Sequence, residues 1–362
     1  MNVVYSFNKK GYEARYWEAE IRAASTAEFR FIPFNHDSYV HWTAFARAQL
    51  LDNIYYQRHA GLMALYRDFE EVLRQSHADA VVVDNCPPYH PEFLRRLNVY
   101  KVLRTSDGPM SAYDRDFAYL HAYDHILYHS PAYSGDMGMA EKLEYCGAKR
   151  FDFWPLALFD AAFDPGKTGP DLVAQERDID VVFVGGQHID KLPLLATVKR
   201  AFGRRFRLHG VTTLKTNVYF NLRYGGPGWV RPLAFERQVP LYKRSKIGIN
   251  VHNRGKYTVG NYRLFDLAGN GVMQISDGDE YLNDFFSVGD EISAYSNPDD
   301  LVDKIRYYLA NDNERYAMAL RAHERVMRDH RFAHRMHQLG ELIQHGAARL
   351  PSMQKGSARG AL

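Results

Sequence analysis

The chain has 362 residues, 46% hydrophobic and 25% charged, with 46 basic and 43 acidic side chains giving a formal net charge of +3. That length calls for two domains or more, the composition is that of an ordinary soluble globule, and so small a net charge gives no footing for a nucleic-acid binder. Two cysteines, Cys86 and Cys146, stand far apart with no CxxC spacing, which excludes a disulfide framework and points to a reducing compartment. The opening MNVVYSFNKKGYEARYW lacks the apolar core of a signal peptide and no run of 18 apolar residues occurs, so a cytoplasmic protein without a transmembrane segment is expected.

In chain order, β-rich runs at 2–7, 29–33, 79–84, 100–104, 125–128 and 151–154 read as strands. A helical region spans 42–76, where Leu62, Leu65, Tyr66, Phe69, Val72 and Leu73 recur at helical spacing. Residues 160–178, rich in Pro, Gly and charge, interrupt the alternation and read as a linker. DIDVVFVGG then restarts it with a near-continuous apolar strand, followed by strands at 205–209, 246–251 and 272–276. Asn297-Pro298-Asp299-Asp300 is a helix start, and further helices are expected at 312–328 and 331–346. This alternation predicts an α/β protein with two Rossmann-like, doubly wound parallel sheets facing across a cleft. The expected division is 1–160, a linker at 161–177, a second domain at 178–330, a helix at 331–350 packing back on the first domain, and a disordered tail at 351–362.

The most informative stretch is SKIGINVHNRGKYTVGNYRLFDLAGNG at 245–271. An apolar strand leads into a loop containing Asn253, Lys256 and Gly260, and Asn261 is expected to open a short helix carrying Arg263 and Asp266 three residues apart, on one face. A helix N-terminus with basic side chains favours an anion, and a carboxylate one turn on suits ribose hydroxyls, so the pattern points to a nucleoside diphosphate sugar. The competing explanations are a surface salt bridge for Arg263 and Asp266 and an exposed basic loop for Lys256. Gly185-Gly186, after the apolar strand, either makes a tight turn or admits a diphosphate closely. Lys191 either reaches a phosphate or opens a solvated helix. The basic run KRAFGRRFR at 199–207 reads as a solvated helix end.

The second half resembles the CgeB-type branch of the GT-B glycosyltransferases, related to the group 1 (family 4-like) enzymes. The matching residues are VFVGG at 182–186, Gly-Pro-Gly-Trp at 226–229, SKIGINVHN at 245–253, NYRLFDLAGNG at 261–271, FFSVGDEISAY at 285–295, IRYYL at 305–309 and His330…His334-Arg335. Asp107-Gly-Pro and Trp154-Pro-Leu-Ala fit more loosely. The resemblance implies a GT-B fold and transfer of a sugar from a nucleotide donor held mainly by the second domain. Two positions depart from the family's pattern. Asp266 stands where Glu is usual, and Thr258 stands where group 1 enzymes often carry a second Glu.

The expected reaction is metal-independent glycosyl transfer with no cofactor, the nucleotide sugar being the substrate and a glycan, protein or small molecule the acceptor. Gly185, Gly186, Lys191, Asn253, Lys256, Gly260, Asn261, Arg263 and Asp266 are the expected donor-binding residues. No HExxH motif and no convincing DxD-type triplet appears, so no metal ligands are proposed. If the reaction inverts, Asp107 or His90, each just past a strand of the first domain, is the expected base. If it retains, a donor phosphate oxygen takes that role. The rival expectations are a sugar-nucleotide epimerase and a degenerate nucleotide- or glycan-binding assembly protein.

Overall fold

The computed structural model describes residues 1–40, 58–84, 88–105, 120–129, 138–167, 169–252, 260–277 and 280–347. Its frame is two parallel sheets. The first contains β1 (Asn2–Phe7), β2 (Arg30–Asn35), β3 (Ala80–Asp84), β4 (Tyr100–Thr105), β5 (His125–Tyr128) and β6 (Phe151–Phe153), in the order β2-β1-β3-β4-β5-β6. The second contains β7 (Ile179–Val184), β8 (Phe206–His209), β9 (Ser245–Asn250), β10 (Met273–Asp277) and β11 (Ser293–Tyr295), in the order β11-β10-β9-β7-β8. β3 (AVVVD) is buried throughout and β7 (IDVVFV) nearly so, because strands of a parallel sheet are covered on both faces.

The helices that cover the first sheet are α1 (Gly11–Ala23), α2 (Ala60–Gln75), α3 (Pro91–Arg96) and α4 (Met139–Tyr145). A short α5 (Gly169–Val173) follows in the stretch read as a linker. The second sheet carries α6 (Leu192–Phe202), α7 (Leu214–Tyr224), α8 (Gln238–Lys243), α9 (Arg263–Gly269), α10 (Pro298–Ala310) and α11 (Asp312–Asp329), and α12 (Phe332–Ala347) closes the described chain. Asn297 caps α10 by accepting from the N–H groups of Asp299 and Asp300. The short helix expected from Asn261 begins two residues later, at Arg263. No described helix is long and apolar enough to cross a membrane.

Side-chain alternation divides the first sheet. Val3, Tyr5 and Phe7 face α1 and α12, whereas Val4 shares the opposite core with Leu62, Leu65 and Phe69 of α2. The α1 side is continuous with the second lobe: Trp17, Trp154, Phe159 and Phe332 form one core with Leu264, Phe265 and Phe285. The lobes therefore meet through packed apolar side chains. The two chain crossings also pair, Leu158 N–H donating to His330 O (2.8 Å) and Phe332 N–H to Leu158 O (2.7 Å). After the second crossing, α12 lies against α1 and β4 of the first lobe, and the Trp154 indole donates to Arg335 O at 2.9 Å. Gly340 permits that approach, since a Cβ there would stand 2.6 Å from the Phe29 ring.

Candidate functional site

The two sheets are wound alike. Strand order reverses between β1 and β3 in one and between β7 and β9 in the other, and ligands of open α/β sheets bind beyond the carboxyl ends of the strands at such switch points. In the second lobe α9 delivers a side chain to that point. The helix is buried along its whole length, with Leu264, Phe265 and Ala268 in the core shared between lobes. Asn261 Oδ1 accepts from Leu264 N–H at 3.2 Å and so satisfies a first-turn donor.

The Arg263 guanidinium spans the gap between the strand ends. Nη1 donates to Val184 O (2.7 Å), Nη2 to Val251 O (2.8 Å) and Nε to Asn250 Oδ1 (3.1 Å). It lies 4.6 Å from the Phe183 ring centroid. A Cβ on Gly185 would fall 2.1 Å from Nη1, so only glycine lets the guanidinium lie across the end of β7. Lys191, at the start of α6, donates from Nζ to the same Val251 carbonyl at 3.3 Å. Burial, and then repulsion from Arg263, brings its ammonium down to about 8. Among the described residues neither cation makes an ion pair. Three of the five guanidinium N–H groups donate to acceptors among the described residues.

One turn along α9, Asp266 Oδ2 accepts from Gln238 Nε2 at 2.9 Å. The carboxyl is buried, and burial pushes it up to about 7. The strand ends behind are fixed by polar contacts: Asn250 Nδ2 donates to Ser276 Oγ at 3.1 Å, and Asp277 accepts from His252 N–H and stands 2.7 Å from its Nδ1.

A cavity of about 270 Å³ opens in front of these groups, between the lobes. The second lobe contributes Gly185, Asn261, Arg263, Asp266, Gln238 and Tyr242, and the first contributes Lys9, Tyr16 and Trp17 of the β1–α1 region. Phe235 stacks on Tyr16 with ring centroids 4.9 Å apart and links the two walls. A larger, more open groove of about 710 Å³ lies along the same seam and shares Phe235, but Arg263 and Asp266 line the smaller cavity.

Of the residues expected from sequence, Gly185, Asn261, Arg263 and Asp266 line this cavity. Lys191 joins them through the Val251 carbonyl, and Gly186 and the buried Gly260 are their chain neighbours. Asn253, Lys256 and Asp107 lie outside the described residues. His90 is placed differently from expectation. Its Nδ1 accepts from Glu92 N–H at 3.2 Å and caps α3, its own N–H donates to Tyr66 Oη at 3.0 Å, and burial lowers its pKa. His90 is a buried helix cap and does not line the cavity. Arg263 and Asp266 also differ from the surface pair considered above: both are buried, and each is held by a different partner. Sequence reasoning did not find Gln238 and Tyr242 of α8, or Tyr262, because the short α8 has too few turns to show a period. For Tyr16 and Trp17 the aromatic crowding of residues 5–17 was the available signal.

Residues 191–341 match a family described as glycosyl transferase-like. No curated protein sequence matches the chain significantly. Among solved structures, sucrose-phosphate synthase from Thermosynechococcus elongatus is 12% identical, with a TM-score of 0.62 over 96% of this chain and 99% of that one. Anabaena HepE, solved with UDP and glucose, is 10% identical, with a TM-score of 0.61 over 95% of this chain and 100% of that one. A Listeria monocytogenes protein provisionally assigned as a UDP-N-acetylglucosamine 2-epimerase is 12% identical, with a TM-score of 0.55 over 95% of both chains. The chain thus has the two-lobed GT-B fold, and its residues 191–341 are similar to the glycosyl transferase-like family.

Proposed function

We propose that the protein transfers a glycosyl group from a nucleoside diphosphate sugar to an acceptor hydroxyl, with 178–330 as the donor domain and 1–160 as the acceptor domain, in the cytoplasm. The observation that carries this reading is the pair of buried cations, Lys191 and Arg263, sharing the Val251 carbonyl at the β7/β9 switch point. Cleavage of the anomeric C–O bond leaves negative charge on the diphosphate, and fixed cations in a desolvated site stabilise that charge most where it develops. Here they take the part a metal ion plays in other transferases. Asp266, beside Arg263 and held by Gln238, is placed to accept from ribose hydroxyls once ionised. Tyr16, backed by the buried Trp17, lines the opposite wall toward the sugar or the acceptor. In an inverting reaction Asp107 takes the acceptor proton, and in a retaining one the departing phosphate oxygen does.

The supporting comparisons are the glycosyl transferase-like match and the whole-chain likeness to a synthase and to a protein solved with UDP and glucose. The likeness to the Listeria protein keeps epimerisation as a second reading. The test incubates purified protein with UDP-, GDP- and ADP-sugars, with and without acceptor hydroxyls, and measures released diphosphate. Transfer predicts release from one donor class that an acceptor accelerates and Lys191→Met abolishes. A new sugar epimer formed without any acceptor would replace transfer by epimerisation. Neither binding nor release across the panel would favour a structural or assembly protein.

A further inference from the structure

Residues 191–235 hold nine Lys and Arg and no Asp or Glu, in a chain whose net charge is only +3. The same segment carries an apolar face that none of the described residues covers. On α7, Leu214 (73% exposed) and Leu222 (82%) bracket the exposed Val218 at steps of four, so the three side chains form one stripe. Val211 (76%) extends it beyond the helix N-terminus. Trp229 (58%) is held beside it, because Asn217 pairs with both backbone groups of Val230 and Asn221 with those of Gly228. Lys215 and Arg223, next in chain to Leu214 and Leu222, and Arg231, two residues beyond Trp229, are all exposed. The inward face of α7 is accounted for by Phe220 and Asn217, both buried.

We propose that this face of the second lobe docks on an anionic lipid bilayer. A convex helix that presents Leu, Val and an indole between basic side chains matches an interfacial surface: the apolar groups enter the headgroup layer while the cations meet lipid phosphates. Charge complementarity selects this occupant. A second copy docking through the same face would set Lys215, Arg223 and Arg231 against their own equivalents. The face begins at Val211, whose carbonyl accepts from Gln187 N–H beyond the end of β7, so a docked bilayer would run past the carboxyl edge of the second sheet. The inference does not depend on the proposed transfer reaction and is read by binding alone.

The test is flotation of the full chain with phosphatidylcholine vesicles, with and without about one-third phosphatidylglycerol, at low and high salt. Expected is association with the anionic vesicles only, weakened by salt. Leu222→Glu with Trp229→Glu should reduce partitioning roughly tenfold or more, and Lys215→Glu with Arg223→Glu should reduce it by at least about fivefold per cation. The altered side chains are exposed, so melting temperatures should be unchanged, which separates lost docking from lost folding. No association of the folded wild-type chain with anionic vesicles would overturn the proposal, as would binding that both double variants retain. A dimer in lipid-free solution that the Leu222/Trp229 variant dissolves would assign the face to a second copy and overturn it equally.

Discussion

The two lobes share one winding and treat its switch point in opposite ways. In the first lobe the point between β1 and β3 is filled from within. Asp84 and Arg104 form a buried ion pair at 2.7 Å, Tyr5 donates to Asp84 at 3.2 Å, and Arg104 lies 4.8 Å from the Trp154 ring centroid. Ser6 Oγ joins His36 Nδ1 at 2.9 Å and Tyr89 Oη at 2.6 Å. In the second lobe the point between β7 and β9 holds two buried cations, neither paired to a carboxylate among the described residues, and Arg263 lines a cavity there. Opposite charge neutralises the first point, whereas the second retains positive potential in a desolvated place. Topology offers both positions, and side-chain chemistry decides which one receives an anion.

That contrast predicts different consequences for equally buried charges. Arg263→Ala removes three hydrogen bonds that tie β7 to β9, so it should cost on the order of 3–5 kcal/mol of stability and abolish nucleoside diphosphate binding together. Asp84→Ala strands Arg104 and should destabilise by a similar amount, about 3–5 kcal/mol, yet leave affinity in the folded protein within roughly threefold. Denaturant melts with calorimetric titration of the folded fraction check both. If Asp84→Ala abolished binding as Arg263→Ala does, the difference between the lobes would be lost.

Gly185→Ala sharpens the same point. Its methyl would meet Nη1 at 2.1 Å and displace the guanidinium from the Val184 carbonyl. We expect about 1–3 kcal/mol of destabilisation with weaker nucleotide binding, and Gly186→Ala, whose Cβ meets only His188 at 3.3 Å, should cost much less.

Asp266 supplies a pH signature. Its folded pKa, about 7, lies above the ordinary value of 3.8, so the fold favours the protonated acid. That contribution is complete below 3.8 and is lost as pH rises through about 7. Asp266→Asn lacks the loss, so its melting temperature should gain on wild type as pH rises from about 3.8 to about 7. A constant difference across that range would show that the carboxyl ionises freely. The smallest effect belongs to the contact between lobes. Tyr262→Phe removes the 3.3 Å bond from Arg104 Nη2 to the Tyr262 hydroxyl and should cost about 1 kcal/mol or less, leaving the apolar seam to hold the lobes.

Much of this frame is legible in the sequence because it rests on local pattern. β3 and β7 are uninterrupted apolar runs, and α2 repeats Leu62, Leu65, Tyr66 and Phe69 at the helical period. Arg263 was legible as a cation one helix after a buried strand. Its burial was not, since that depends on Gly185 lying 78 residues earlier in the chain and on three acceptors from two strands. Asp84–Arg104 pairing across adjacent strands is hidden for the same reason: each residue reads as an ordinary strand end until the register brings them together. Gln238 and Tyr242 sit on a helix of six residues, too short to show a period, and reach the cavity only through packing between segments. His90 is the converse case. Its position after a strand fitted a base, but Pro91 and the N–H of Glu92 make it a cap.

The central claim is that the cations at the β7/β9 switch point receive the diphosphate. Lys191 is held at about 8, below its ordinary 10.5, so the unliganded protein releases a proton as pH rises through 8 and a bound dianion restores it. Calorimetric titration of UDP, GDP and ADP at a pH just above 8, in two buffers of different ionisation enthalpy, reads this directly. The account predicts binding of at least one nucleotide with net proton uptake, and predicts that Lys191→Met both removes the uptake and weakens affinity roughly 10- to 100-fold. Binding with no proton uptake and with full affinity in Lys191→Met would contradict it, placing the diphosphate elsewhere.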